Sequence, residues 1–341
     1  MLMANMTLEK IAALANVSRS TVSRVINDHV SVRPEVRQRV WQVIEETGYQ
    51  PNMAARSLAA RRTGIIGLVI PRNAQAIFTD PYFPRLIQGI TQACNASDYT
   101  LSLFLFHDEE EEKKLHPRVL RHGYVDGVII TSFHTDDPLI PQLQANGMPF
   151  VVIGRPPHSE QTSFVDADNV NGAYTAVTHL LRQGRRRIAT ITGPLNTVVG
   201  QDRLRGYRQA LQERGIAFDE RLVGEGMFTE MEARYAMRQL LAEQPDAVFA
   251  ASDAMAFGAL QTLHEAGLTV PDQIALVGFD DLPVATITNP PLTTIRQPIR
   301  RTGALAIETL IDLFENGSQP PRQIVLTTQL VIRGSCGAQA G

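Results

Sequence analysis

Seven short apolar runs, each able to form a fully buried strand, recur along the chain from residue 64 onward. They are GIIGLVIP (64–71), TLSLFLF (100–106), DGVIIT (126–131), FVVIG (150–154), RRIATITG (186–193), DAVFAAS (246–252) and IALVGFDD (274–281). Helical stretches such as PRLIQGITQACNAS, GAYTAVTHLLRQG, GQDRLRGYRQALQERG and AMAFGALQTLHEAG separate them. Continuous apolar strands alternating with helices predict βαβ units and doubly wound parallel sheets covered on both faces. The span has room for two such sheets, and 341 residues fit two or three domains. Ligands of such folds bind at the carboxyl ends of the strands or between domains.

Composition removes several classes. At 44% hydrophobic and 20% charged the chain is globular. No apolar run is long enough to span a membrane. The start, MLMANMTLEKIAALAN, does not read as a signal peptide, so a cytoplasmic location is expected. Cys94 and Cys336 stand far apart, which suits a reducing compartment and argues against a disulfide or zinc scaffold. The histidines show no HxxxH or HExxH spacing, and the acidic run in HDEEEEKK (107–114) reads as a helix start rather than a metal site. No metal and no cofactor are expected. Asp80, Asp168 and Asp280 could line a cleft, yet no nucleophile motif accompanies them, so an enzyme is not expected.

The first sixty residues differ in charge. Residues 1–62 hold nine Lys/Arg against five acids, a balance of +4; with the whole chain at −3, the remainder stands at −7. A basic head on an acidic body suits a nucleic-acid module. Thr7 can cap a helix whose apolar positions are Leu8, Ile11, Ala12 and Ala15. Asn16 and Val17 make a turn, and Ser18 caps a second helix with Val22, Val25 and Ile26 inside. Its outer face carries Arg19, Ser20, Ser23, Arg24 and Asn27: hydroxyls for phosphate, long donors for base edges. A third helix runs from about Pro34 to Thr47, with Val36, Val40, Val43 and Ile44 inward. Then Ala54, Ala55, Leu58 and Ala59 punctuate a segment too short to be a stable helix alone, the pattern of a helix that folds on a partner.

The pattern T-L-x-x-I-A-x-x-A-x-V-S-x-x-T-V-S-R-V-I-N (7–27), continued by GYQPNMAARSLA (48–59), resembles the headpiece and hinge of the LacI family of repressors. From 64 to 335 the chain resembles the periplasmic-binding-protein type I fold, through GPL (193–195), RLRGY (203–207), SDAMAFGAL (252–260), VGFDD (277–281) and PPLTTIRQP (290–298). The resemblance implies an α/β protein with a three-helix helix-turn-helix domain (1–50) and a hinge helix (51–62). Two doubly wound subdomains would follow, 63–161 with 295–325 and 162–290 with 326–335. It implies a homodimer on a pseudo-palindromic double-stranded DNA operator. Thr7, Ser18, Arg19, Ser20, Thr21, Ser23, Arg24 and Asn27 would meet DNA from the headpiece. Asn52, Ala55 and Leu58 would do so from the hinge, with Leu58 wedged between base steps in the minor groove.

The resemblance also places Arg203 and Asp280 in the effector cleft, Phe228 at a stacking position, and Ser252 where many sugar-binding members carry Asn. Asp281 reads as structural, and Asp253 reads as an N-cap. Tyr82 and Phe83 open a helix, where they stack on a ring of the ligand or serve as a helix staple. Thr131 and Asp168 complete the candidates. Thr197 and Val199 stand where the purine repressor uses other residues, which argues against purines. FTDPYF, FVVIGRP and VDADN are similar to maltose and α-glucoside regulators, and Gly154 leaves room where several members carry aspartate. A small sugar, an α-glucoside or other oligosaccharide, is the expected effector. A non-sugar effector, a protein corepressor and a sugar-binding transport protein are the competing readings.

Overall fold

The structure is a computed structural model that describes residues 6–26, 29, 31–49, 62–106, 108–121, 123–131 and 134–338. The chain divides into two compact units, Met1–Gly64 and Ile65–Gly341. Asn27, Asn52, Ala55 and Leu58 lie outside the described residues, as does nearly all of the expected hinge.

The first unit holds α1 (Leu8–Leu14), α2 (Arg19–Ile26) and α3 (Pro34–Thr47). Thr7 Oγ1 accepts from the Lys10 amide at 3.4 Å, and Ser18 Oγ from the Thr21 amide at 3.1 Å, so both expected caps form. The core is Ile11, Ala12, Ala15, Val22, Val25, Ile26, Val40 and Ile44, the predicted stripes of the three helices. Val36 and Val43 are only half-buried.

The second unit runs β1 (Ile65–Asn73), α4 (Ala74–Thr79), α5 (Tyr82–Ala96), β2 (Thr100–Phe106), α6 (Glu109–Val119), β3 (Gly127–Thr131), α7 (Leu139–Asn146), β4 (Phe150–Ile153) and β5 (Phe164–Ala167). It continues α8 (Asn169–Arg182), β6 (Ile188–Thr192), α9 (Val198–Glu213), β7 (Val223–Glu225), α10 (Glu230–Leu240), β8 (Ala247–Ala250), α11 (Asp253–Glu265), β9 (Ala275–Asp280) and α12 (Val284–Ile287). It ends with β10 (Thr293–Arg296), α13 (Ile299–Asn316), β11 (Gln323–Leu326) and β12 (Gln329–Val331). Two six-stranded sheets result, in the orders β11-β5-β4-β3-β1-β2 and β12-β10-β9-β8-β6-β7. All neighbours are parallel except β12, which runs antiparallel to β10.

Side-chain alternation fills both faces of each sheet. In the first, Ile66, Leu68, Ile129, Val151 and Ile153 face Leu86 and Ile90 of α5 and Ile307 and Leu310 of α13. Val69, Val128, Ile130 and Val152 face Leu139 and Leu143 of α7 on the other side. The second sheet buries Ile191, Val248 and Leu276 against α10 and α11, and Ile188, Phe249 and Val277 against α8 and α9.

The chain crosses between the sheets three times: after β5 at Asp168, after β10 at Gln297–Pro298, and between β11 and β12. These crossings correct the expected boundaries. β5 belongs to the first sheet, paired with β4 and β11, so the first passage comes at 168 and not at 161. β10 belongs to the second sheet, paired with β9 and β12, so the return comes after 296 and not at 295. The link from β4 to β5 contains one 3-10 turn, Ser159–Gln161, in place of a crossover helix, so helix spacing does not mark the fifth strand.

Candidate functional site

The carboxyl ends of the two sheets open onto a shared cleft of about 800 Å³ counted to its mouth. Its floor is a chain of buried polar groups. Asp166, on β5, accepts from the Ala167 amide at 2.8 Å and from Asn169 Nδ2 at 3.0 Å. Asn169 Oδ1 in turn accepts from Arg203 Nε at 2.9 Å. Arg203 also donates to the Ala251 carbonyl and lies 3.5 Å from Asp280 Oδ1. Asp280 Oδ1 accepts from Gln297 Nε2 at 2.5 Å. The Arg203 guanidinium sits over the Phe279 ring at 3.7 Å, with Phe228 at 5.7 Å.

Burial sets the electrostatics. It pushes the Asp280 carboxyl up to about 7, against the pull of Arg203 and aided by Asp80. It pushes Asp166 up to about 6, opposed by the Ala167 amide and aided by Asp202. Arg203 is held below its ordinary value by burial, opposed chiefly by Asp280. Burial raises the Tyr82 phenol too, with the Asp280 charge adding to it. Backbone strain gathers at the same place: Met227, Phe228 and Asp280 have φ of 50°, 57° and 114°. Non-glycine residues in such regions cost of order 1–3 kcal/mol each and cluster at ligand sites.

Seven of the eight expected cleft residues line this space: Tyr82, Phe83, Thr131, Arg203, Phe228, Ser252 and Asp280. Phe83 is 1% exposed and belongs mainly to the core of the first sheet, edge-on to Tyr82 at 5.4 Å. Thr131 is buried at the end of β3. Ser252 caps α11, its Oγ accepting from the Met255 amide at 3.2 Å. Asp168 is not among the lining residues: its carboxylate accepts from the Asn171 amide at 3.1 Å and caps α8. Asp253 does not serve as the cap expected of it. Ser252 does, while Asp253 is fully buried and accepts from Leu282 N at 2.7 Å and Thr294 Oγ1 at 2.5 Å. Asp281 is structural, paired with Arg296 and Arg333 at 2.6 and 2.5 Å. The sequence reading missed Asp166, Asn169, Gln297 and Arg155 as lining residues, although VDADN and PPLTTIRQP contain the first three. Gly154 lines the cleft with φ of 98°, where a side chain would be strained as well as bulky.

On the headpiece, Arg19, Ser20 and Arg24 are exposed along α2, with Thr21 and Ser23 half-buried. Arg19 pairs with Glu9 at 3.1 Å, both well exposed, so the pair contributes little and can yield to a phosphate. Thr7 and Ser18 stand exposed at the starts of α1 and α2. This face suits a recognition helix in a major groove.

Residues 7–52 match the family model "Bacterial regulatory proteins, lacI family", and 177–336 match "Periplasmic binding protein-like domain". The HTH-type transcriptional regulator CelR of Thermobifida fusca is 42% identical over 96% of this chain and 98% of its own. The chain belongs to the LacI family. The ribose operon repressor of Escherichia coli is 34% identical to this LacI-family chain, over 96% of it and 99% of the repressor. The solved CelR–cellobiose complex shares 41% identity and a TM-score of 0.78, covering 97% of this chain and 99% of that one. The lac repressor dimer bound to operator and an anti-inducer has a TM-score of 0.86 at 27% identity, covering 98% and 100%. This LacI-family protein is a DNA-binding transcription regulator and not an enzyme. None of its described helices is long and apolar enough to cross a membrane.

Proposed function

We propose that this chain is a cytoplasmic, dimeric repressor whose operator affinity is set by a small glucoside in the cleft, a β-linked disaccharide of the cellobiose kind. The observation that carries the reading is the floor from Asp166 through Asn169, Arg203 and Asp280 to Gln297. Alternating donors and acceptors fixed in a row suit vicinal hydroxyls, and Tyr82 and Phe228 offer ring faces for a pyranose. The likeness to CelR, whose solved structure holds cellobiose, favours a β-linkage over the α-glucoside expected from sequence. In the headpiece, Arg19, Ser20 and Arg24 are the base readers. Thr7, Ser18, Thr21 and Ser23 hold phosphates, and Asn27 is a further DNA contact. Asn52, Ala55 and Leu58 enter the minor groove from the hinge. Ligand and operator then bias each other by equal and reciprocal free energies.

The test is thermal unfolding against cellobiose, longer cello-oligosaccharides, maltose, monosaccharides, purines and sugar phosphates. A ligand at a hundred times its Kd stabilises the native state by about 2.7 kcal/mol, a visible shift of the midpoint. A shift with cellobiose that vanishes in Arg203→Ala supports the reading. A shift with a purine or a sugar phosphate alone, or with no small molecule, replaces it by another effector or a protein corepressor.

A further inference from the structure

Three chain crossings join the two sheets but do not by themselves fix the angle between their lobes, so a closed cleft needs contacts that bridge it. One is an ion pair. Arg155 follows β4 of the first lobe, and Asp202 lies on α9 of the second. Arg155 Nη2 donates to both carboxylate oxygens of Asp202, at 2.8 and 2.6 Å. The Asp202 side chain is 7% exposed, and Arg205, one turn along α9, approaches the same carboxylate at 3.1 Å. A second tie joins the same two lobes: the Thr135 amide, from the loop after β3, donates to the Asn196 carbonyl, from the loop before α9, at 2.8 Å. Both ties reach the segment after β6, on the side of the second sheet away from β10 and β12, where the chain crosses. The polar floor has Asn169 and Gln297 each next to one of the crossings, while Arg203 in its middle is the neighbour of Asp202 on α9. Arg155 is itself a lining residue of the cleft, and Asp202 is not.

We propose that Arg155 and Asp202 form a latch: a positioning ion pair that holds the lobes shut over the effector and sets how slowly the effector leaves. The geometry favours such a role over a surface ion pair. A mostly buried carboxylate shared by two guanidinium groups forms a stronger, less screened contact than an exposed pair. Separating the lobes leaves Arg155 without its partner, so the pair weights the closed form specifically. The proposal rests on the effector reading only for the identity of the ligand.

The test is a double-mutant cycle on the full-length protein with Arg155→Met, Asp202→Asn and the double variant, with Arg155→Lys as the conservative control. Spin labels on cysteines introduced at the exposed positions Gln142, on α7, and Gln212, on α9, report lobe separation. A cellobiose titration reports Kd and dissociation rate. Each single variant is expected to widen the distance distribution without ligand and to raise Kd about tenfold, chiefly through faster dissociation. The double variant should be no worse than either single, and the lysine should restore part of the effect. Unchanged distances in Arg155→Met and Asp202→Asn, or effects that add in the double variant, overturn the latch. If cellobiose fails to bind the parent protein, the effector reading falls, while the distance measurement still decides the latch.

Discussion

Asp280→Asn gives a direct measure of how much stability the cleft gives up for its chemistry. The amide has nearly the shape of a protonated carboxyl, keeps an oxygen to accept from Gln297, and belongs to the residues most tolerant of a positive φ. Burial raises the carboxyl from 3.8 to about 7 in the folded protein. Below about pH 4 both folded and unfolded states hold the proton, and the group contributes nothing. Between about 4 and 7 the folded state retains a proton that the unfolded state has lost, so stability falls as pH rises. Above 7 both states are ionised and the penalty is constant. At 1.36 kcal/mol per unit it amounts to about 4 kcal/mol at neutral pH and to less than half of that at pH 5. The amide carries no such penalty, so D280N should be more stable than the parent by about those amounts. Urea unfolding of the ligand-free protein measures this, followed by far-UV circular dichroism. The single tryptophan, Trp41, lies on α3, so its fluorescence follows the headpiece separately. A variant no more stable at pH 7.5, or a gain that does not shrink towards pH 5, would refute the reasoning. The carboxylate would then be ionised and stabilised by Arg203.

Three further outcomes are expected. Effector affinity should rise with pH through about 7, because hydroxyls donating to Asp280 favour its ionised form and expel a proton; calorimetry in buffers of different ionisation enthalpy should detect the release, and its absence would exclude that contact. Gly193→Ala would place a Cβ 2.1 Å from the Phe228 ring, so it should displace the ring, cost about 1–3 kcal/mol in a thermal melt and weaken effector binding; an unshifted titration would remove Phe228 from the site. Arg24→Ala should cost about 1–3 kcal/mol at its cognate base pair and relax specificity there in anisotropy titrations of operator variants, whereas an equal loss on every sequence would mark a phosphate contact.

The layout of strands and helices was legible because each strand buried on both faces leaves a continuous apolar run. The passages between sheets were harder to read. β5 has only four residues, with Asp166 among them, and β10, TTIR, is itself mostly polar and reads as a loop. The cleft followed the same division. Arg203, Phe228 and Asp280 stand in recognisable motifs, whereas Asp166, Asn169 and Gln297 converge only because two crossings bring β5, α8 and β10 together. The sequence points to Asp168 as a cleft residue, two positions from Asp166, which lines the cleft. The difference is that β5 ends at Ala167, which turns Asp168 into a helix cap. The caps at Thr7 and Ser18 were readable because capping is local.

The interlaced path of the chain has a consequence for biosynthesis. The first sheet lacks its edge strand β11 and the helix α13 that covers Leu86 and Ile90 of α5 until residues 299–326 have been made. The second lacks β10 until residue 296 and its edge strand β12 until residue 331. Neither lobe can therefore complete its core while the other waits on the ribosome. The body should mature late and in a single concerted step, whereas the headpiece, built from neighbouring helices, can form as it emerges. A ribosome stalled before residue 290 would thus carry a headpiece able to fold, attached to two unfinished sheets that cannot yet sense anything.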